Sequence, residues 1–198
     1  MSRTEQITLA RAYSKSGKGG VFEWGLGSST LIADFVEVTR LCATDSDPEW
    51  VQKVRYTLDY RWNYRILHAD IGPVRSWGQP LSKSQKHKWP DYSAMVDAEA
   101  GSFGVYLVDG RFRVACACRA LLHADTNSRI IVHDFSRQQY HILLRVSEQV
   151  SRTEELVVLR KRPSVSDTEI MQMWEQYKFE TCFANVNELD CLAFCCCN

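Results

Sequence analysis

Five acidic side chains lie at the ends of short apolar runs in this sequence. In chain order they are Glu23, Asp45, Asp70, Asp109 and Asp134. If the runs are strands of an open α/β sheet, their carboxyl ends share one edge, and ligands of such sheets bind at that edge. A carboxylate held there loses hydration unless it meets a hydroxyl, an amine or a metal ion. The set therefore predicts one polar pocket, whereas a single member such as Asp70 has the alternative role of capping the following helix.

The first apolar run leads into a turn that suits close approach of a ligand to the backbone. The turn reads Glu23-Trp24-Gly25-Leu26-Gly27-Ser28-Ser29-Thr30. Gly25 and Gly27 permit a tight turn and leave no side chain between the backbone and a ligand. Two glycines are a weak signal alone, but Asp45 follows Glu23 by about the 20 residues at which an acid reaches ribose hydroxyls in nucleoside-binding βαβ units.

Apolar runs alternate with helix-like stretches along most of the chain. The runs are Val21–Phe22, Val38–Thr44, Arg65–Ala69, Val105–Val108, Ile130–His133 and Leu156–Leu159. The helix-like stretches are Ser28–Phe35, Pro48–Tyr60, Arg113–His123 and Tyr140–Val150. Short runs that are apolar on both faces are typical of strands buried in a parallel sheet. The alternation predicts an α/β fold, with helices on both faces of a mostly parallel sheet.

The segment from Ile71 to Tyr92 interrupts this alternation. It is rich in glycine and proline and contains Trp77, Trp89 and several lysines. Loops longer than about 12 to 15 residues inside a compact domain are more often functional than mere connections. We expect a lid over the pocket, with a surface insertion whose tryptophans pack back on the body as the alternative.

The composition is that of a folded protein without an overall cationic surface. Of the 198 residues, 45% are hydrophobic, and 24 Lys and Arg balance 24 Asp and Glu. This balance argues against nucleic-acid or membrane-surface binders, because both depend on a positive field. Met1 to Gly20 is mostly polar, and no apolar stretch approaches the roughly 18 residues of a membrane span. We expect a cytoplasmic protein with no transmembrane segment.

Cysteines concentrate at the C-terminus. Of eight in the chain, five lie in the last stretch: Cys182, Cys191, Cys195, Cys196 and Cys197. A disulfide scaffold would spread its cysteines through the domain, so we expect reduced thiols. A last helix is predicted from about Thr168 to Phe179. The tail after it is expected to be a flexible terminus with reactive thiols, with palmitoylation and metal binding as alternatives.

The turn resembles the first motif of class I S-adenosylmethionine-dependent methyltransferases. A closer resemblance is to a little-characterised group of methyltransferase-like proteins from bacterial genomes. The matching motifs here are Asp70-Ile71-Gly72-Pro73 with Trp77-Gly78, then Pro90-Asp91-Tyr92, then Val108 to Val114. The resemblance runs from about Val21 to Arg162 and implies a Rossmann-like three-layer sandwich around a seven-stranded sheet, of which six strands can be placed. It predicts one methyltransferase-like domain over residues 1–162, with a helix and a Cys-rich tail over 163–198.

The resemblance implies a binding role for several residues toward S-adenosylmethionine. Gly25, Gly27 and Ser28 would lie against its methionine part, with Glu23 beneath them. Asp45 would accept both ribose hydroxyls. Ser46, Asp70 and Ile71 would border the adenine, and Asp109 would face the sulfonium and the acceptor. Ser29 stands where many members of the wider class have a third glycine, which tightens the turn without forbidding binding.

The acceptor side is predicted at the ends of the later strands. Asp109, His133 and Asp134 are the candidates for catalytic groups, with a structural role as the alternative for His133. Arg111 and Arg113 are predicted to bind an anionic group of the acceptor or else to pair with strand-end acids. Trp77 and Tyr92 are further candidates for substrate contact. Some O-methyltransferases hold a divalent cation here through an Asp-Asn pair, but Phe135 replaces the Asn, so we expect no metal.

These expectations combine into a methyltransferase that uses S-adenosylmethionine on a small polar or anionic acceptor. The alternative is a non-catalytic binding or interaction protein that keeps the nucleoside pocket. A nicotinamide-dependent oxidoreductase is disfavoured, because Thr30 stands where the third small residue of that turn is needed. We expect a small-molecule substrate and no nucleic-acid partner, and we leave a homodimer open.

Overall fold

The computed structural model describes residues 1–58 and 61–181. Its α-helices are α1 (Arg3–Tyr13), α2 (Ser28–Phe35), α3 (Pro48–Leu58), α4 (Trp89–Ala94), α5 (Arg113–His123) and α6 (Asp167–Tyr177). Its strands are β1 (Val21–Trp24), β2 (Leu41–Asp45), β3 (Tyr64–His68), β4 (Val74–Arg75), β5 (Gln79–Pro80), β6 (Val105–Val108), β7 (Arg129–Val132), β8 (Ser147–Thr153) and β9 (Leu156–Lys161). The Cys-rich tail from residue 182 onward lies outside the described residues.

Seven strands form one sheet in the order β3-β2-β1-β6-β7-β9-β8. The first five are parallel, and β9 enters antiparallel between β7 and β8. The strand order reverses at β1, which lies beside β6. At such a reversal a crevice forms at the carboxyl ends of the two strands. Together with helices on both faces, this confirms the predicted Rossmann-like architecture.

Buried aliphatic and aromatic side chains cover both faces of the sheet. One apolar cluster joins the sheet to α1, α2 and α3, and includes Leu9 and Val54. The other joins it to α4, α5 and α6, and includes Trp24 and Trp174. The indole of Trp174 donates to the hydroxyl of Ser93 at 2.9 Å, so α6 is tied to the same core as α4.

A local signal in the sequence explains where α3 begins. The carboxylate of Asp47 accepts the backbone N–H groups of Glu49 and Trp50, at 3.0 and 3.1 Å, and so caps α3, whose first residue is Pro48. Both groups are donors that the first turn of a helix leaves unsatisfied.

The structure corrects the helix that was expected over Tyr140–Val150. Residues Gln138–Arg145 form a 3₁₀ segment, and Ser147–Thr153 form the edge strand β8. The spacing of Ile142, Leu143 and Val146 resembled a helical face, but the partner strand β9 pairs with the following residues and overrides that local pattern. This hairpin supplies the seventh strand of the sheet.

Two further segments are more ordered than the sequence indicated. The polar N-terminus forms α1, which begins with a reciprocal cap between Ser2 and Glu5. The loop at 71–92 contains the small β4–β5 ribbon, a 3₁₀ stretch over Lys83–Lys88 and the start of α4. In the described ranges, 1–58 and 61–181, no helix combines the length and apolar character that crossing a bilayer requires.

Candidate active site

A cleft of about 1020 Å³ lies at the carboxyl ends of the parallel strands. The turn after β1 and the end of β2 form one half of it, and the ends of β6 and β7 form the other. Eleven of the residues singled out from the sequence line it: Gly25, Gly27, Ser28, Asp45, Trp77, Tyr92, Asp109, Arg111, Arg113, His133 and Asp134. Its size is that of a small-molecule site.

The glycine turn brings the backbone of β1 against the loop after β6. Gly25 has φ +97°, and a Cβ there would lie 2.7 Å from the backbone nitrogen of Gly110. Glycine is therefore required at position 25 by both conformation and space. Around Gly27, by contrast, nothing lies within 4 Å of an added Cβ, so this glycine leaves the cleft open beside the start of α2.

Glu23 lies beneath this turn and is fully buried. Its carboxyl group accepts hydrogen bonds from the hydroxyls of Tyr13 at 2.5 Å and Thr30 at 2.8 Å. Burial raises the pKa of Glu23 to about 7, although these hydrogen bonds act in the opposite direction. Glu23 does not line the cleft. It supports the turn through Thr30, because the hydroxyl that donates to Glu23 also accepts the backbone N–H of Gly27.

Asp45 closes one half of the cleft at the end of β2. The sequence predicts that this half holds the cofactor, and we name it the cofactor half. Its two oxygens accept the backbone N–H groups of Leu26 and Asp47, each at 3.0 Å. The carboxylate thereby fixes the glycine turn, and its remaining lone pairs can accept further donors. Burial raises its pKa, against the effect of these backbone hydrogen bonds.

The long loop docks directly on this half. Ser46 donates its hydroxyl hydrogen to the carbonyl of Gly78 at 2.9 Å, and a Cβ at position 78 would lie 2.4 Å from the Ser46 oxygen. The preceding Trp77 adopts φ +66° and is 73% exposed at the mouth of the cleft. A bulky residue in the left-handed region costs free energy, so the docked loop must hold Trp77 in place.

Tyr92 forms part of the floor between the two halves. Its side chain is buried, its hydroxyl accepts the backbone N–H of Arg111 at 3.4 Å, and the indole of Trp24 donates to its carbonyl at 3.1 Å. A Cβ on Gly110 would lie 2.0 Å from the Tyr92 hydroxyl oxygen. Tyr92 is thus packed tightly under the loop that follows β6.

The other half of the cleft is built around the guanidinium of Arg113. The sequence predicts that this half receives the methyl acceptor, and we name it the acceptor half. This group contacts Asp109 at 3.1 Å and Asp134 at 2.7 Å, and it also donates to the carbonyl of His133 at 2.7 Å. The pKa of Arg113 is raised: burial opposes the shift, but the neighbouring acids and Tyr140 outweigh it. Of the two roles predicted for Arg113, pairing with strand-end acids is the one that the geometry supports, and its guanidinium is not free to bind an acceptor.

His133 and Asp109 form a coupled pair in this half. The Nδ1 atom of His133 lies 3.0 Å from Asp109 Oδ1. Burial alone would lower the pKa of His133, but the hydrogen bond and charge of Asp109 raise it. Burial likewise would raise the pKa of Asp109, but Arg113 and His133 lower it. The pair therefore favours an imidazolium beside a carboxylate.

Asp109, His133 and Asp134 also have the composition of a metal site. One ligand atom from each lies within 4.8 Å of the others. The charge of Arg113 already satisfies both carboxylates, however, and a divalent cation would have to displace a guanidinium that is 6% exposed. The donor set therefore does not fit a resident metal ion.

Arg111 differs from the other guanidinium groups of the cleft. Among residues 1–58 and 61–181 it has no acidic partner within ion-pair distance, and its enclosed Nε has no hydrogen-bond acceptor. Leaving a buried donor unsatisfied is costly. The guanidinium of Arg111 is thus not held by an acid of the described residues.

The N-terminal helix supplies residues that the sequence interpretation missed. Glu5 is buried, lines the acceptor half and lies 3.6 Å from Nε2 of His133. Its carboxylate also accepts the backbone N–H groups of Ser2 at 2.6 Å and Glu155 at 2.9 Å. The signal in the sequence was the Ser2-x-x-Glu5 capping pattern, which identifies a helix start.

Four predicted residues do not line the cleft: Glu23, Ser46, Asp70 and Ile71. Asp70 is exposed and pairs with Lys88 at 2.6 Å, and the hydrogen bond from Lys88 lowers its pKa. Ile71 is 1% exposed and packs in the core. The parts of the loop that do reach the cleft are Trp77 to Gln79 and Tyr92. The five acids thus do not share one pocket, since only Asp45, Asp109 and Asp134 line the cleft.

Comparison with known proteins agrees with this architecture. A methyltransferase-like protein from Silicibacter pomeroyi is 23% identical, with a TM-score of 0.77 over 92% of this chain and 96% of that one. The N-methyltransferase NodS from Bradyrhizobium japonicum, crystallised with S-adenosyl-L-homocysteine, is 12% identical, with a TM-score of 0.51 over 80% of this chain and 86% of that one. No protein-family model and no curated protein sequence matches. The chain thus has a Rossmann-like methyltransferase fold.

Proposed function

We propose that this protein is an S-adenosylmethionine-dependent methyltransferase that acts on a small polar or anionic acceptor. The observation that carries the proposal is the cleft itself. It joins a glycine turn and an acid after β2 to a second polar half after β6 and β7. The fold shared with NodS, which was crystallised with S-adenosyl-L-homocysteine, supports the same cofactor.

The cofactor half has a hydrogen-bond acceptor and space that suit S-adenosylmethionine. Asp45 would accept the ribose hydroxyls, and the open backbone at Gly27 and Ser28 would receive the methionine part. The loop residues that line this half of the cleft are Trp77 and Gly78, whereas the sequence predicted Asp70 and Ile71. When bound, the sulfonium of the cofactor supplies an electrophilic methyl group.

The acceptor half would orient the nucleophile toward the methyl group of the cofactor. Asp109 and His133 both line this half, at hydrogen-bond distance from each other. Proximity and orientation supply much of the rate in such a displacement. A base is needed only where the acceptor arrives protonated.

A binding protein without catalysis is the second candidate, because His133 has its Nδ1 engaged by Asp109 and its Nε2 facing Glu5. Such a protein would bind S-adenosylmethionine but transfer no methyl group to any small molecule. Transfer assays with labelled cofactor therefore separate the two candidates once cofactor binding is established.

The proposal predicts that Asp45→Ala weakens S-adenosylmethionine about ten- to a hundredfold, because charged hydrogen bonds to a diol are lost. Titration calorimetry measures this, with S-adenosylhomocysteine as the second ligand. Asp45→Asn retains the shape and part of the contact with Leu26, and should give an intermediate affinity.

The matched control is Asp125→Asn, whose carboxylate caps a turn before β7 and does not line the cleft. It should leave both affinities unchanged. Equal affinity of wild type and Asp45→Ala would refute the assignment of Asp45. No binding to wild type at micromolar sensitivity would refute the proposed function.

A further inference from the structure

Trp77 combines exposure with backbone strain at the mouth of the cleft. Its side chain is 73% exposed, and its φ of +66° lies in the left-handed region. An exposed indole contributes little to the burial of apolar surface, and a bulky residue in this region costs free energy. Folding alone therefore does not account for a tryptophan here, and strained residues of this kind are found at ligand sites.

The loop around Trp77 is fixed beside the carboxylate of Asp45. The carbonyl of Gly78 accepts the hydroxyl hydrogen of Ser46 at 2.9 Å. A Cβ at position 78 would lie 3.3 Å from Oδ1 of Asp45, so the backbone of the loop packs against that oxygen. Trp77 is the preceding residue, and it is therefore held next to the group that would bind the ribose.

A second tryptophan is linked to the other oxygen of Asp45. Oδ2 accepts the backbone N–H of Leu26 at 3.0 Å, and the carbonyl of Leu26 accepts the indole N–H of Trp50 at 2.9 Å. Trp50 also lines the cleft, but it is only 37% exposed, and the ammonium of Lys53 lies 5.1 Å from its ring centroid. Trp77 thus offers the more open ring.

The ribose contact would bring the base of a bound nucleoside to these rings. In a nucleoside, the base is attached to the carbon next to the one that carries the 2′-hydroxyl. If Asp45 accepts the ribose hydroxyls, the base therefore lies beside the same carboxylate and close to Trp77. Every base has an aromatic face, and stacking on an aromatic side chain depends little on the groups at its edge.

The backbone carbonyls next to Asp45 already accept hydrogen bonds from the protein. The carbonyl of Leu26 accepts from Trp50, and the carbonyl of Gly78 accepts from Ser46. The exocyclic amine of adenine is a hydrogen-bond donor, and it would have to share either carbonyl with these side chains. The backbone here therefore offers little to the edge of the base.

Side-chain acceptors are also scarce at this end of the cleft. Asp70, which the sequence predicts to border the adenine, is exposed and does not line the cleft. Oε1 of Gln79 accepts from Nε of Arg75 at 3.1 Å, so the amide group that remains to Gln79 is a donor. Asp47 has its Oδ1 on the first turn of α3. The site therefore matches the face of a base better than its edge.

Resting on the proposed function, we propose that Trp77 binds the base of S-adenosylmethionine by stacking, beside Trp50, and that the exocyclic amine of the base is not recognised. Asp45 and the glycine turn then provide the specificity for the ribose and the methionine part. The cofactor site accordingly accepts a purine whose edge differs from that of adenine.

The test compares three ligands of the full chain by titration calorimetry, with displacement of S-adenosylhomocysteine for the weaker ones. The ligands are S-adenosylhomocysteine, its deamino analogue, in which hydrogen replaces the exocyclic amine, and S-ribosylhomocysteine, which lacks the base. The deamino analogue should bind within about fivefold of S-adenosylhomocysteine, since a larger loss is that of a hydrogen bond. S-ribosylhomocysteine should bind about tenfold more weakly or worse.

Variants of Trp77 separate stacking from a structural role of the loop. Trp77→Ala should weaken both ligands that carry a base about tenfold and leave S-ribosylhomocysteine unchanged, because only the stacking surface is lost. Trp77→Phe should restore part of the affinity. The matched control is Trp62→Ala, at a 94% exposed tryptophan that does not line the cleft, and it should change none of the three affinities.

A deamino analogue that binds more than about fivefold more weakly than S-adenosylhomocysteine would show that the amine is recognised and would overturn the inference. So would an unchanged affinity for S-adenosylhomocysteine in Trp77→Ala, or an equal loss for S-ribosylhomocysteine, which would indicate a disturbed loop. Failure of the wild-type protein to bind S-adenosylhomocysteine at all would instead overturn the proposed function, so the two failures are distinguishable.

Discussion

Glu23 shows how a single buried carboxyl group can couple the fold to pH. It lies beneath the glycine turn and is held by the hydroxyls of Tyr13 and Thr30. Because burial raises its pKa from 4.5 to about 7, the folded protein retains this proton at pH values where the unfolded chain has lost it. Between those two values, the free energy of unfolding therefore falls as pH rises.

Glu23→Gln removes this titration. We expect the difference in unfolding free energy, variant minus wild type, to rise by about 1 to 3 kcal/mol between pH 4.5 and pH 8. Urea denaturation at several pH values measures the difference. A difference that stays constant over this range would show that Glu23 ionises in the folded state as it does in water.

For single residues, the sequence predicted which residues line the cleft better than it predicted what each of them contacts. The positions of Gly25, Gly27, Asp45 and Asp109 follow from local spacing, and all four line the cleft. The pairing of Arg113 with Asp134 depends on how far α5 is rotated against β7, which no spacing rule in one sequence specifies. The lack of an acidic partner for Arg111 among the described residues depends on the same packing.

The helix α1 is the element that joins the two halves of the cleft to the sheet. Tyr13 at its C-terminal end reaches Glu23 under the cofactor half, and Glu5 near its start reaches His133 in the acceptor half. Thr8 lies between them on α1, and its hydroxyl oxygen is 3.4 Å from the hydroxyl oxygen of Thr153 on β8. The helix therefore depends on polar contacts as well as on the buried Leu9.

Tyr13→Phe tests this attachment, because it removes a buried hydrogen bond without changing the shape of the ring. We expect a loss of about 1 to 3 kcal/mol in unfolding free energy at pH 8, where Glu23 is ionised, and a smaller loss at pH 5. The control is Tyr56→Phe, at an 83% exposed tyrosine on α3. Equal losses at both pH values would argue against the charged hydrogen bond.

Elements with strong local signals were predicted, and those set by distant partners were not. The buried runs became strands, and α3 begins where Asp47 and Pro48 indicated. The edge strand β8 was mistaken for a helix, since only its pairing with β9 makes it a strand. The helix α1 was missed because most of its surface is polar and its buried face is short.

For the whole molecule, the balance of 24 basic and 24 acidic residues conceals an uneven distribution of charge. Carboxylates collect around the cleft, while Lys83, Lys86 and Lys88 lie on the long loop. The fold class followed from the alternation of strands and helices, but the antiparallel entry of β9 between β7 and β8 did not. An order of strands is a property of the folded sheet and has no local signature.

The proposal that the cleft binds S-adenosylmethionine is tested most directly by a crystal structure of the protein with S-adenosylhomocysteine. We expect the ribose hydroxyls at Asp45, the amino-acid part against Gly27 and Ser28, and the sulfur toward Asp109. A ligand bound elsewhere, or a cleft that stays empty in crystals grown at saturating ligand, would contradict it.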